Sequence, residues 1–88
     1  LDLSPENYKL FLNNATHHKS LRGLALDMVG KFDRRVCKMF TDAISLSNVE
    51  IGVFFCGGMG DIEEVQDMQQ YACRIKNKYF AISLGYKY

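Results

Sequence analysis

The residues of this 88-residue chain that could take part in chemistry concentrate around three glycines. Gly57, Gly58 and Gly60 follow an apolar run and precede an amphipathic one, so they are predicted to join the carboxyl end of a strand to the amino end of a helix. At such a junction, free amides and the helix dipole attract an anion, and the missing side chains let a phosphate approach the backbone. A phosphate-binding turn is one interpretation, and a purely structural tight turn is the other.

Acidic residues follow the glycines directly. Asp61 and Glu64 have the spacing of a capping box, which predicts that a helix begins at Asp61. Together with Glu63, these carboxylates place negative charge where a bound phosphate would lie. The acids therefore favour the structural interpretation of the turn over the anion-binding one.

The segments on either side of the turn predict a βαβ unit. Residues 49–56 are apolar and rich in β-branched and aromatic side chains, which is typical of a strand covered on both faces. Apolar residues at spacings of three and four predict a helix over 61–77, and residues 79–84 predict a second strand. A right-handed crossover makes the two strands parallel neighbours.

The first half of the chain is predicted to be helical. Ser4 and Pro5 have the residue types of a helix start, and the helix is expected to run to about Asn13. Apolar residues that step by three or four over 21–44 predict a long second helix, with a break or kink at Gly30. The predicted fold class is therefore α/β: two N-terminal helices, the second long, followed by a βαβ unit with parallel strands.

Two parallel strands alone make an incomplete sheet, because both edges and one apolar face stay uncovered. A further strand in the N-terminal third, a partner chain, or sequence beyond this chain would complete it. Homo-oligomerisation by edge pairing or helix exchange is the favoured interpretation. Residues 1–88 are read as one small α/β domain or as a fragment of a larger one.

Composition narrows the function classes. No apolar run approaches the roughly 18 residues of a membrane span, and no signal peptide is recognisable, so a soluble cytoplasmic protein is expected. The net charge of +1 divides into a basic segment, 19–38, and an acidic segment, 50–67. This weak polarity suits a protein partner or an anion site and argues against nucleic-acid binding.

Cysteine and histidine spacing argues against a metal site and a thiol enzyme. Cys37, Cys56 and Cys73 are odd in number and form no paired motif, so reduced thiols are predicted and no metal or cofactor is expected. His17 and His18 have no supporting ligands at helical spacing. Neither Cys37 nor Cys56 has an identifiable histidine base, which disfavours nucleophilic catalysis.

One family motif is similar to the glycine-rich stretch. Residues 56–64, Cys-Gly-Gly-Met-Gly-Asp-Ile-Glu-Glu, resemble the Pro-Gly-Gly-x-Gly-Thr-x-x-Glu motif of the Lonely Guy, or lysine-decarboxylase-like, family of the SLOG superfamily. The likeness continues through residues 76–79 to Gly85-Tyr86, and Phe32-x-x-Arg35-x-x-x-Met39 resembles the Met-x-x-Arg-Lys-x-x-Met helix of that family. It covers about the last two-thirds of the chain.

The resemblance implies a Rossmann-like fold and release of a base from a nucleoside 5′-monophosphate. It would assign phosphate contacts to Gly57, Gly58 and Gly60, and sugar or catalytic roles to Arg35 and Glu64. A carboxylate can stabilise positive charge on the sugar, while a guanidinium pairs with phosphate.

The chain departs from the family at Cys56, Asp61 and Val36, where the family has proline, threonine and lysine, and the first half of the family has no counterpart here. A small non-enzymatic interaction or oligomerisation module is therefore the first functional hypothesis, with a homo-oligomer or a partner protein expected. The alternative is a nucleotide- or phosphate-binding SLOG-like domain, a degenerate nucleoside-monophosphate phosphoribohydrolase.

Overall fold

Helices and strands alternate along the chain in the computed structural model, which describes residues 5–85. The elements are α1 (Pro5–Thr16), β1 (Gly23–Lys31), α2 (Arg34–Ser45), β2 (Ile51–Gly58), α3 (Ile62–Cys73) and β3 (Tyr79–Leu84). The strands form one parallel sheet in the order β1-β2-β3. The predicted class, mixed α/β with parallel strands, is confirmed. None of the helices within residues 5–85 is long and apolar enough to cross a membrane.

The predicted long helix over 21–44 is wrong. Its first part is β1 and its second part is α2. Asp33 is the N-cap of α2, and its carboxylate accepts a hydrogen bond from the Arg35 amide at 2.9 Å. Leu24 and Met28 are four residues apart, and this spacing fits both a helix stripe and one face of a strand. Pairing of β1 with β2 decides between them, because it satisfies the backbone groups that face β2 along the segment.

β1 is a further strand from the first part of the chain, which was one of the three ways considered to complete the sheet and not the favoured one. It lies beside β2 and makes β2 the central strand, so the sheet gains a third member from within the chain. The register brings Ala25, Val53 and Ala81 into one row across the three strands. Gly30, where a helix break was expected, instead lies in an irregularity of the β1–β2 pairing between Met28 and Lys31. Its φ of 95° is one that glycine adopts readily.

The helix boundaries follow local signals. Asp61 is the N-cap of α3, as predicted, although its carboxylate accepts from the Glu63 amide at 2.9 Å and not from that of residue 64. α3 ends at Cys73, earlier than predicted, and Asn77 with a φ of 65° leads into β3. Ser4, the predicted cap of α1, and Tyr86 of the family motif lie outside the described residues.

The core lies between the sheet and the helices. Phe54 of β2 is at its centre, with ring centroids 5.9 Å from Phe32 in an edge-on contact and 5.7 Å from Phe40 of α2. Next to it, a Cβ at Gly52 would lie 2.4 Å from the Cδ1 atom of Ile44. Glycine at position 52 therefore lets α2 pack directly against the backbone of the central strand.

Candidate functional site

The carboxyl ends of the three strands border a cleft of about 620 Å³. Its walls come from the end of β1, the end of β2 with Met59, and the end of β3. They consist of Asp27, Met28, Gly30, Lys31, Cys56, Gly57, Gly58, Met59, Leu84 and Gly85. Open parallel α/β sheets bind ligands at this edge, and the volume is within the usual range for small-molecule sites, about 300–1,000 Å³.

The three glycines of the motif do not share one role. A Cβ at Gly57 would lie 3.1 Å from the carbonyl oxygen of Gly30, so Gly57 lets the end of β2 approach β1. Gly60 has a φ of 63°, which disfavours a side chain there. Gly58 is different, because a Cβ would make only an ordinary contact of 3.5 Å with Lys31. Packing therefore accounts for Gly57 and Gly60 and leaves Gly58 open to another explanation.

Two opposite charges line the cleft. Asp27 and Lys31 are both exposed and both come from β1. The amino end of α3, which would attract an anion, already carries the Asp61 carboxylate on the Glu63 amide, and Glu64 follows in the same turn. The local charge is thus mixed and shows no strong preference for a phosphate.

Arg35 and Glu64 lie at the amino ends of α2 and α3. The Arg35 guanidinium forms an ion pair with Asp33, with Nη2 at 3.1 Å from Oδ2, and this hydrogen bond lowers the pKa of Asp33. The pKa of Arg35 is raised, first by the same bond, then by the charge of Asp33 and finally by that of Glu64. The fold thus brings Arg35 and Glu64 within electrostatic range, but neither residue lines the cleft.

The buried thiols are poor nucleophiles. Cys56 lines the cleft, and its Sγ donates to the carbonyl of Gly58 at 3.4 Å. Burial raises the pKa of Cys56, and it raises the pKa of Cys37 to about 12. Both thiols are therefore protonated at neutral pH, whereas the nucleophilic form of cysteine is the thiolate.

The histidines and acids do not form a metal site in the described part of the chain. No group of three or more His, Cys, Asp or Glu residues within 5–85 is arranged to hold a metal ion. Instead, His17 bonds the Asn13 carbonyl, and His18 bonds the Ser20 hydroxyl at 3.1 Å.

A second candidate site is the face of the sheet that the helices leave uncovered. We call it the open face, and its residues form three rows across β1, β2 and β3: Gly23-Ile51-Tyr79, Ala25-Val53-Ala81 and Asp27-Phe55-Ser83. Exposed fractions of 49% for Ile51, 40% for Phe55 and 75% for Tyr79 show that this face is accessible. Side chains of alternate residues, such as Phe54, face the helices and are buried.

The sequence pointed to this face only indirectly. Residues 49–56 have the composition of a strand covered on both faces, yet Ile51 and Phe55 are exposed because both crossover helices pack on the other side. Two right-handed crossovers that advance in the same direction across a sheet place their helices on the same face. The apolar character of this strand therefore exceeds what the helices of this chain cover.

A scan against protein-family models, a search of curated proteins and a search of solved structures each found no match. The resemblance to the Lonely Guy family therefore remains a prediction from the motif residues.

Proposed function

We propose that this domain is a non-enzymatic module that assembles with further copies of itself through the open face. The observation that carries the proposal is one-sided cover of a parallel sheet. β2 bears apolar side chains on both faces, and Ile51 and Phe55 are exposed on the face without helices. Parallel sheets occur almost only with both faces covered, so this face favours a protein partner.

The rows of the open face suit a second copy as that partner. In a twofold arrangement with its axis along β2, β1 of one copy lies over β3 of the other, as in face-to-face packing of sheets. Gly23 then lies over Tyr79, a small residue opposite a large one. Asp27, the one charged residue of the open face, lies over Ser83, whose hydroxyl can donate to the carboxylate. Every row thus has a compatible opposite row.

A charge placed on the open face tests the proposal. We expect Phe55→Asp to halve the mass measured by size-exclusion chromatography with light scattering and to weaken association at least roughly 100-fold, because two symmetric copies each lose an apolar contact. Leu46→Asp is the matched control, since Leu46 is 91% exposed at the end of α2 and away from the sheet. Circular dichroism checks that both variants fold. A wild-type chain that is monomeric at millimolar concentration, or equal masses for the two variants, would contradict the proposal.

A second candidate function is binding of a phosphate or nucleotide in the cleft. It is favoured by the position of the cleft at the carboxyl ends of the strands, by Lys31 in its wall, and by Gly58, which packing does not require. If the domain is SLOG-like, it is a degenerate phosphoribohydrolase, and Arg35 and Glu64 could act only on a sugar that extends beyond the cleft, because neither residue lines it. It ranks second because Asp27 faces the same cleft.

The melting temperature tests this second function. A nucleoside 5′-monophosphate at millimolar concentration is expected to raise it, whereas the nucleoside without phosphate is not. Gly58→Val fills the cleft beside Lys31 and is expected to remove the effect. An unchanged melting temperature in the wild type would exclude the candidate.

A further inference from the structure

The outer edge of β3 is a ready surface for strand pairing. The Tyr79 amide donates to the carbonyl of Glu50, just before β2, and the Gly85 amide donates to that of Cys56 in β2, both at 2.8 Å. Backbone groups of odd-numbered residues in β3 therefore face β2. By alternation, the N–H and C=O groups of Phe80, Ile82 and Leu84 face away from the sheet. β3 contains no charged residue and no proline, so nothing in the strand opposes a new neighbour.

The opposite edge of the sheet differs in each of these respects. β1 carries Asp27 and Lys31, and its pairing with β2 is irregular between Met28 and Lys31. Gly30 lies within that irregularity with a φ of 95°. Charges and bulges are the features that protect edge strands from pairing. β3 is therefore the unprotected edge of this sheet.

The flank of α3 beside β3 is also free of charge. Ile62, Gln66, Gln69 and Cys73 follow one another at spacings of four, three and four, which places them on one side of the helix. Of these, Gln69 and Cys73 line a groove of about 610 Å³ together with residues of β3. The acids of α3 are at the other positions of the helix.

One lysine reaches this groove, but its charge is engaged elsewhere. Lys78 lines the groove, and its Nζ donates to the carbonyls of Ser47 at 2.5 Å and Val49 at 2.6 Å, on the loop between α2 and β2. Edge and flank together thus form an uncharged strip about 20 Å long, the length of six strand residues.

We infer that β3 pairs in antiparallel orientation with β3 of a second copy, which produces one continuous six-stranded sheet. The inference rests on the proposed self-assembly and adds a second contact to it. With the twofold axis at Ile82, Phe80 lies opposite Leu84 of the second copy. All three outward-facing residues of each copy then pair, whereas an axis at Ala81 would leave Leu84 opposite a residue before the strand.

The helices fit this arrangement. α3 contacts β3 and connects β2 to it. A right-handed crossover lies over the two strands that it joins, which places the α3 axis about half a strand spacing inward from β3. With strands about 4.8 Å apart, the two α3 axes would be about 10 Å apart, which is the usual helix packing distance. Gln69 lines the groove beside Ile82, and Gln66 is three residues earlier on the same side of α3. Both would then face the second copy, where their amides can bond each other.

Edge pairing would also enlarge the open face. Three strands present a footprint of about 14 by 20 Å, or roughly 300 Å², which is well below the roughly 800 Å² per partner of a stable interface. Six strands present about twice that footprint on one side. The paired dimer therefore offers a larger apolar surface for face-to-face assembly.

Proline substitutions on the two edges test the inference. They are made in the Phe55→Asp background, in which the open face is disrupted and the β3-paired dimer should remain. Ile82→Pro removes an N–H that faces outward from β3 and is expected to raise the dimer Kd roughly 30-fold or more, since two symmetric bonds are lost. In β1 the backbone groups of even-numbered residues face β2, so the N–H of Ala25 faces outward. Ala25→Pro removes this outward N–H from the other edge of the sheet and should leave the dimer unchanged.

Each outcome of these measurements separates the two proposals. A Phe55→Asp chain that is already monomeric, or a dimer equally sensitive to Ala25→Pro, would overturn β3 pairing while self-assembly through the open face stands. A dimer lost with Ile82→Pro but indifferent to Phe55→Asp would support the edge and contradict the face.

Hydrogen exchange provides a measurement that does not depend on the fold of a variant. In the dimer of the Phe55→Asp chain, the amides of Phe80, Ile82 and Leu84 are expected to be protected, and their protection should decrease on dilution. Exchange of these amides at the unprotected rate in the dimer would overturn the pairing. The pairing would also be overturned if these amides were protected only in a monomer to which an extended segment of another protein is bound.

Discussion

Replacing Phe54 by alanine is expected to lower the free energy of unfolding by about 3–5 kcal/mol, because a large buried ring is removed and a cavity remains. Phe54 is 1% exposed and contacts the rings of Phe32 and Phe40, so little can move to fill the space. At roughly 0.05–0.15 kcal/mol per residue, a domain of this size has a total stability of about 4–13 kcal/mol, so the variant loses a large share of it. Urea denaturation monitored by circular dichroism measures the change.

The adjacent phenylalanine provides a matched control. Phe55 is the same residue type one position later and is 40% exposed on the open face. At a dilution where the chain is monomeric, Phe55→Ala is expected to cost about 1–2 kcal/mol, because its ring is only partly buried. Equal losses for the two variants would mean that the sheet is not covered on one face only.

Replacing Lys78 by methionine is expected to destabilise the domain by about 2–3 kcal/mol, because two hydrogen bonds from a charged donor are lost. The Lys78 ammonium donates to the carbonyls of Ser47 and Val49, and it thereby joins the residue before β3 to the loop before β2. Methionine keeps a long apolar stem of similar length, so the change isolates the ammonium group.

Lys76→Met is the control for this prediction. Lys76 is exposed and two residues earlier in the same connection, and a surface substitution of this kind is expected to change stability by less than about 0.5 kcal/mol. The same urea titration compares the two variants. If Lys78→Met were as stable as Lys76→Met, the bonds to the loop carbonyls would contribute nothing to folding.

The two candidate sites make different demands on the protein. Binding in the cleft would use backbone groups near Gly58 and the Lys31 side chain, and it would leave Ile51 and Phe55 exposed. Assembly through the open face would cover these apolar side chains. This difference in what remains exposed to water is, beside the Asp27 charge in the cleft, a second reason why self-assembly ranks above ligand binding.

Local signals in the sequence were sufficient for the elements that depend on neighbouring residues. The carboxylate of Asp61 predicted the start of α3 because a cap acts on an amide two or three residues away. The apolar run of residues 79–84 predicted β3 with its observed bounds, Tyr79–Leu84. Mixed α/β class followed from such local patterns.

Tertiary contacts decided the rest, because they join residues that are far apart in the chain. β1 is a strand and not a helix since the Arg22 carbonyl accepts from the amide of Ile51, 29 positions later, and the spacing of Leu24 and Met28 fits either structure. Gly57 is required by the approach of Gly30, which no local pattern reveals. The open face, likewise, follows from the side on which both crossover helices pack, and this is set by chain handedness across the whole sheet.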